Sequence, residues 1–588
     1  MTSMSRLRGF LDKINMFIIA AALCVLFSGC AIPKATVSSE EIASEDSVES
    51  VQEVIKEDVA EEYAVDLREE DIEHYIVFDL NEPFSYCGNP VCFYKNSTDE
   101  MSFSFDFSKG IPITDDADVY LFEAASYEDE SLRDKHPVAS AEKHNHVDIT
   151  IPYKTKHLFS RFIPAVLYRG EYVALSDGKY ISNPEALADN KEPYPEIESK
   201  KGLLLDANTA NTEWLTNLNV KRIVYNLPLS LIMGETLNET YPTIDFEYNG
   251  KTYQFDGYNL AGFDILFNYL TRQGFCTTVI ILNDWNEEFP EMMHPLSLQK
   301  TGRSMYYAFN TEEEEGARMM EAAALFLAER YSGGEYGMVH DWVIANEVNQ
   351  QKVWNYMATD DLEYYTDSFE KSFRTFYNAI RSNYSNARVY FSIDQDWNSN
   401  SGYNSRYFNG RELLDAFCED AKRGGDYDWS LSIHPYPNPL PRTKFWIGKF
   451  DKSPDASVVT PMNLSSVTDY MQKEELLNPL GKPRNIAVTE LGFSSKVGEK
   501  TQAAAFAYCY YIIEDNEYIN CFLLNRQTDD TEALKSGLAL GIYNNDYSSK
   551  VLADVFTDID SPRSAKFLPE MLEITGFDSL EEALNAAR

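Results

Sequence analysis

Eight short apolar runs constrain this chain more than any other feature, because each ends in polar residues and a helix-patterned stretch separates most of them. The runs are GLLLD (202–206), RIVYNL (222–227), TTVIILN (277–283), DWVIANE (341–347), RVYFSID (388–394), WSLSIHPY (429–436), NIAVTE (485–490) and INCFLLN (519–525). Such short runs, rich in β-branched and aromatic residues, read as strands. Stretches such as EEGARMMEAAALFLAERYS and QAAAFAYCYYIIED place apolar residues three and four apart and read as helices. Alternating strands and helices build βα units on a parallel sheet. Eight units predict a (β/α)8 barrel over residues 199–562, larger than the common size, with a helical tail over 563–588. The insertion DFEYNGKTYQFD carries an Asn-Gly turn and predicts a hairpin after the second strand.

Upstream, the period changes to two. Between residues 74 and 198 the runs MSFSFDF, ADVYLFEA, HVDITIPY and FIPAVLYR alternate and are separated by turn-rich segments, which predicts a smaller antiparallel, sandwich-like β domain. Carbohydrate binding and a spacer role are equally compatible with it. Residues 31–73 form an acidic linker: Glu40 to Glu73 holds fifteen acidic and two basic residues, and like charges extend such a segment. The first thirty residues place Arg6, Arg8 and Lys13 before an apolar run from Met16 to Phe27, the layout of a signal peptide. The ending LFSGC resembles a bacterial lipobox. That resemblance implies lipidation of Cys30 and an exported protein anchored to the outer face of a bacterial membrane. A plain signal peptide or a single membrane anchor are the alternatives.

Composition narrows the partners. With 51 basic and 94 acidic residues the formal charge is −43, which excludes a surface that neutralises nucleic-acid phosphates and argues against polyanionic substrates. Cys87 and Cys92 are close enough to bridge a hairpin in an oxidising exterior, whereas Cys276, Cys418, Cys509 and Cys521 fall in apolar patterns and read as core. His144 and His146 share a strand face without a third ligand, so no metal site and no cofactor is expected.

In a barrel of this kind the active site lies at the carboxyl ends of the strands. The fourth run ends in Asn346 and Glu347, the sixth in His434 and Tyr436, the seventh in Thr489 and Glu490, and the eighth in Asn525 followed by Arg526. Neither the Asn-Glu nor the Thr-Glu dipeptide is rare here; their joint placement carries the argument. ANEVN, IHPYP and VTELGFS at strands four, six and seven resemble the clan A glycoside hydrolases, closest to a family of uncharacterised bacterial barrels. The resemblance implies that Glu347 is the general acid/base, Glu490 the nucleophile and Asn346 the ligand of the sugar 2-hydroxyl, with His434 and Tyr436 beside the nucleophile. Val348 stands where Pro is common, no Arg ends strand two, and no Trp ends strand eight. Arg526 is then a candidate cation beside Glu490, or a structural ion pair.

Trp285, Trp354, Trp397 and Trp446 fall in loops just past strands three to six, whereas Trp214, Trp342 and Trp429 sit within elements. Flat rings at a barrel mouth suit the C–H faces of sugars. Asp284, Asp394 and Asp396 on the same rim are candidates for hydroxyl contacts or ordinary loop caps. The expected protein is a monomeric, lipid-anchored, retaining glycoside hydrolase acting on a neutral poly- or oligosaccharide. The competing expectation is a non-catalytic glycan-binding or scaffold lipoprotein that keeps the barrel.

Overall fold

The computed structural model describes residues 75–399 and 407–588. The lipobox, Cys30 and the acidic linker lie outside the described residues. Among those described, no helix is long and apolar enough to cross a membrane. The chain divides into two compact units. One reaches to Asn183 and includes Arg423–Gly425; the other comprises Pro184–Lys422 and Asp426–Arg588.

The first unit is built from two antiparallel sheets and a short parallel pair, Tyr75–Val77 with Ile111–Ile113. Cys87–Lys95, Glu100–Phe107 and His146–Pro152 form a three-stranded sheet, and Ala139–Glu142, Asp118–Ala124, Arg161–Tyr168 and Glu171–Ala174 form a four-stranded one. The strand from His146 to Pro152 strictly alternates exposed and buried residues, the signature of a half-solvated sheet. Its exposed His146 pairs with Asp106 at 2.7 Å. The expected disulfide is absent: Cys87 and Cys92 lie on one strand opposite Phe107 and Phe103, and both are free, buried thiols. Burial pushes the Cys87 thiol up to about 12.

The second unit contains a closed barrel of eight parallel strands: Lys201–Leu204, Arg222–Pro228, Cys276–Leu282, Asp341–Ile344, Arg388–Asp394, Ser430–His434, Ile486–Leu491 and Ile519–Leu524. The first pairs with both the second and the eighth, which closes the ring. Inward side chains fill it, among them Leu204, Val224, Ile280, Val343, Tyr390, Ala487 and Leu523, so the interior is a packed core. The Asn-Gly hairpin forms as the turn chemistry dictates: Ile244–Tyr248 pairs antiparallel with Lys251–Phe255, and Asn249 and Gly250 both take positive φ. The last helices, Leu568–Thr575 and Leu580–Ala587, belong to this unit. Tyr508 on the helix Glu499–Asp515 donates to the carbonyl of Ala583.

Candidate active site

The two glutamates are set by opposite local geometries. Glu347 follows strand four, where the chain leaves the sheet through two non-glycine residues in the left-handed region, Ala345 at φ 63° and Glu347 at φ 40°. Such conformations cost free energy and persist only where neighbours over-determine them. Ser392 on strand five does so: its Oγ accepts the Glu347 N–H at 2.8 Å and its carbonyl accepts the Val348 N–H at 2.9 Å. Glu490 lies within strand seven, two residues before Gly492. A Cβ at Gly492 would stand 2.1 Å from the carbonyl oxygen of Asn525. Glycine there lets the ends of strands seven and eight close together, and Asn525 reaches Glu490.

Strand six joins the two carboxylates. The His434 Nδ1 pairs with Glu347 Oε1 at 2.9 Å, and the Tyr436 hydroxyl donates to Glu490 Oε1 at 2.7 Å. Asn525 Nδ2 donates to the same Glu490 oxygen at 2.8 Å and to the Tyr436 hydroxyl at 2.8 Å. His434 Nε2 meets Thr489 Oγ1 at 3.1 Å, and that hydroxyl touches Ser432 Oγ at 2.5 Å, so the ring is fixed at both nitrogens. On each glutamate one oxygen is held; the other makes no hydrogen bond among the described residues.

Burial raises the Glu347 carboxyl above its ordinary range; the His434 bond pulls it down, and the charges of Glu490 and Asp396 push it up again. Burial lowers the His434 imidazole, but the Glu347 bond and the charges of Glu490 and Glu347 outweigh that and draw it upward. Glu347 and His434 thus compete for one proton. The convergence of Glu490, Asp394 and Asp396 on a buried Glu347 favours the neutral acid, the form a proton donor needs.

The remaining expected residues divide. Asn346 is buried and its amide makes no hydrogen bond among the described residues, which leaves it available to a ligand. Asp394 and Asp396 are buried and bridged by Gln350 Nε2 at 2.7 and 2.9 Å. Asp284 accepts from Ser230 Oγ at 2.5 Å. Arg526 does not serve Glu490: its guanidinium pairs with Asp530 at 3.6 Å, and the donors to Glu490 are Tyr436 and Asn525 instead. Trp285 and Trp354 are half-buried, the latter against Tyr306 with ring centres 5.9 Å apart. Trp397 and Trp446 are not rim residues. Trp397 is 1% exposed with its Nε1 bonded to the Pro454 carbonyl, and Trp446 packs on Phe445 and Tyr508. The Pro454 segment binds Trp397, and Tyr508 on the helix Glu499–Asp515 packs on Trp446.

Two further residues join the site. Tyr306, in the long loop after strand three, packs on the inner core, and burial together with the charges of Asp284 and Glu490 raises its hydroxyl. Asn226 lies two residues beyond the inward Val224 and pairs in register with the inward Ile280, so it occupies the inner face near the end of strand two. Its Oδ1 is buried without a partner. The period of two could have found Asn226; nothing in the pattern around Met305 and Tyr306 marks a site residue. Among the described residues no group of three His, Cys, Asp or Glu side chains has metal-holding geometry.

Fold and site together define a (β/α)8 barrel whose mouth presents two glutamates, from the ends of strands four and seven, clasped by one strand between them. The chain belongs to a family of unknown function, DUF5722, whose model matches residues 193–583. No curated protein matches it. Among solved structures it is similar to a family 39 glycoside hydrolase from the gut symbiont Bacteroides cellulosilyticus WH2, at 14% identity over 76% of this chain and 78% of that one, with a TM-score of 0.41. It is also similar to a glucosidase from Croceicoccus marinus, at 13% identity over 65% and 68% of the two chains with a TM-score of 0.40. An intracellular xylanase from Thermoanaerobacterium saccharolyticum matches at 12% identity over 63% of this chain and 98% of its own, with a TM-score of 0.37.

Proposed function

We propose that this chain is a retaining glycoside hydrolase that cleaves a neutral poly- or oligosaccharide, with Glu490 as nucleophile and Glu347 as general acid/base. The observation that carries this reading is the clasp: His434 and Tyr436, two residues apart, each hold one oxygen of a different glutamate and leave the other oxygen without a hydrogen bond among the described residues. A buried Glu347 carboxyl kept neutral is suited to give its proton to the departing glycosidic oxygen while Glu490 Oε2 attacks the anomeric carbon. Glu347, now a carboxylate, then takes a proton from water as that water displaces Glu490 from the sugar. Asn346, with its free amide, is placed next to the acid to bind a sugar hydroxyl. Asp284, Asp394 and Asp396 gather with the two glutamates at strand ends, and Arg526 is occupied by Asp530, which disfavours an anionic sugar. The proposal extends to export, anchoring through a lipid on Cys30, and action as a monomer.

The test is turnover by the full chain on a panel of plant, fungal and bacterial glycans, followed by two substitutions. Glu490→Gln abolishes activity. Glu347→Ala still cleaves substrates with a good leaving group, and added azide restores its turnover, because azide needs no base to attack the glycosyl-enzyme. A rate within about tenfold of wild type for either variant, a barrier change of only about 1.4 kcal/mol, contradicts the assignment. Glycan binding with no turnover on any panel member supports the scaffold reading instead.

A further inference from the structure

The most exposed tryptophan among the described residues is Trp214, which the sequence places within an element rather than in a rim loop. Trp214 belongs to the short helix Glu213–Thr216 in the connection after strand one, and it is 41% exposed, whereas Trp342, Trp397 and Trp429 are at most 2% exposed. Its ring packs against Tyr547, from the long connection after strand eight, with centres 4.8 Å apart and planes tilted by 32°. Single exposed apolar residues are ordinary. This pair is not a stray contact, because both partners are held from behind.

Gln527, fully buried just past strand eight, ties the two connections together. Its Nε2 donates to the Trp214 carbonyl at 3.0 Å, and its Oε1 accepts from the Asp206 N–H and the Thr209 hydroxyl, both at 2.9 Å. Tyr547 sits at φ 64°, a left-handed conformation that costs a bulky residue free energy, and its hydroxyl meets Asp206 Oδ2 at 3.2 Å. The lip is therefore built before any ligand arrives. Gln527, which holds the Trp214 carbonyl, and Asn525, whose amide is bonded to Glu490, both follow strand eight two residues apart.

We infer that Trp214 and Tyr547 form an aromatic platform for a sugar residue remote from the bond being cleaved, so that the substrate is a chain of several neutral sugars rather than a small glycoside. This rests on the proposed glycosidase reading of the mouth. An exposed indole backed by a second ring 4.8 Å away and tilted by 32° offers its other, apolar face to the C–H face of a pyranose. A rigid lip spends little ordering entropy when the chain binds.

Two measurements on the full chain test the inference. In kinetics, Trp214→Ala loses kcat/KM on a soluble polysaccharide at least about tenfold more than on the nitrophenyl glycoside of the same sugar, chiefly through KM, and Trp214→Phe recovers part of the loss. In native gels cast with xylan, glucomannan or mixed-linkage β-glucan, at least one glycan retards the wild type and Trp214→Ala abolishes that retardation, with unchanged thermal unfolding. Equal losses on long and short substrates, or no retardation by any of the three, overturn the platform. Trp214-dependent retardation without any turnover sustains the platform and refutes the glycosidase reading, so the two failures are distinguishable.

Discussion

Two cations at the amino ends of the barrel strands and two glutamates at the carboxyl ends are held in different ways. At the amino ends of the strands, Lys201 is buried with its three donors placed on the Phe556 and Thr557 carbonyls and on Asp560. Arg484, just before strand seven, donates to the carbonyls of Leu476, Tyr427 and Leu477 and binds both oxygens of Asp426. At the carboxyl ends, among the described residues, Glu347 and Glu490 each keep an oxygen without a hydrogen bond, the Asn346 amide makes none, and Glu347 sits in a left-handed conformation. A saturated polar group holds a fold together; an oriented but unsaturated one is ready for a ligand. The contrast holds for these four charged groups and is no rule for every polar atom, since Asp341 Oδ1, at the amino end of strand four, is also buried without a partner.

The largest effect expected from this contrast is at the closed end. Lys201→Met strips a cation from Asp560 and leaves two carbonyls at a helix end unpaired, and breaking a buried pair in this way costs about 3–5 kcal/mol. Chemical denaturation should show that loss, while kcat per folded molecule stays unchanged. A drop in kcat with unaltered stability would erase the distinction.

A smaller effect is expected at the mouth for Tyr436→Phe. A hydrogen bond to a charged group is worth about 1.5–3 kcal/mol, so removing the hydroxyl from Glu490 should lower kcat by about ten- to a hundredfold with little change in unfolding free energy. A purely structural Tyr436 would show the reverse.

The smallest effect runs in the opposite direction. Burial raises the Glu347 carboxyl above its ordinary 4.5, so its contribution to stability is complete below that value and is lost as pH rises through the folded-state value. Glu347→Gln, which carries no such penalty, should unfold at a higher temperature than wild type at neutral pH, with a gain smaller than the loss in Lys201→Met. The gap should close as pH falls below about 4.5. A variant less stable than wild type at neutral pH would show that the mouth is not strained by its acid.

Much of this was legible in the sequence where one physical rule acts locally. Each barrel strand is short, apolar and terminated by polar residues, so its identity and its chemistry-bearing end were both readable, and Glu347, His434, Tyr436, Glu490 and Asn525 meet as strand ends must in a closed ring. Loops obey no such period. Trp397 and Trp446 read as rim residues because they follow strands, but the first is bonded to Pro454 and the second packs on Tyr508 of the helix Glu499–Asp515. Trp214 read as lying within an element, yet that element is a single helical turn that leaves the ring exposed. Arg526 directly follows Asn525, and its side chain goes to Asp530 rather than to the carboxylate that Asn525 binds. Proximity in sequence could not decide between those directions.

The central claim is that Glu490 carries the sugar. The direct measurement is intact mass and peptide mapping after exposure to an activated 2-deoxy-2-fluoro glycoside of whichever sugar the wild type cleaves, since the fluorine slows release of the glycosyl-enzyme. The account predicts a gain of one fluorosugar on the peptide containing Glu490, and none in Glu490→Gln. A label on another residue, or continued turnover with no covalent adduct on Glu490, would contradict it.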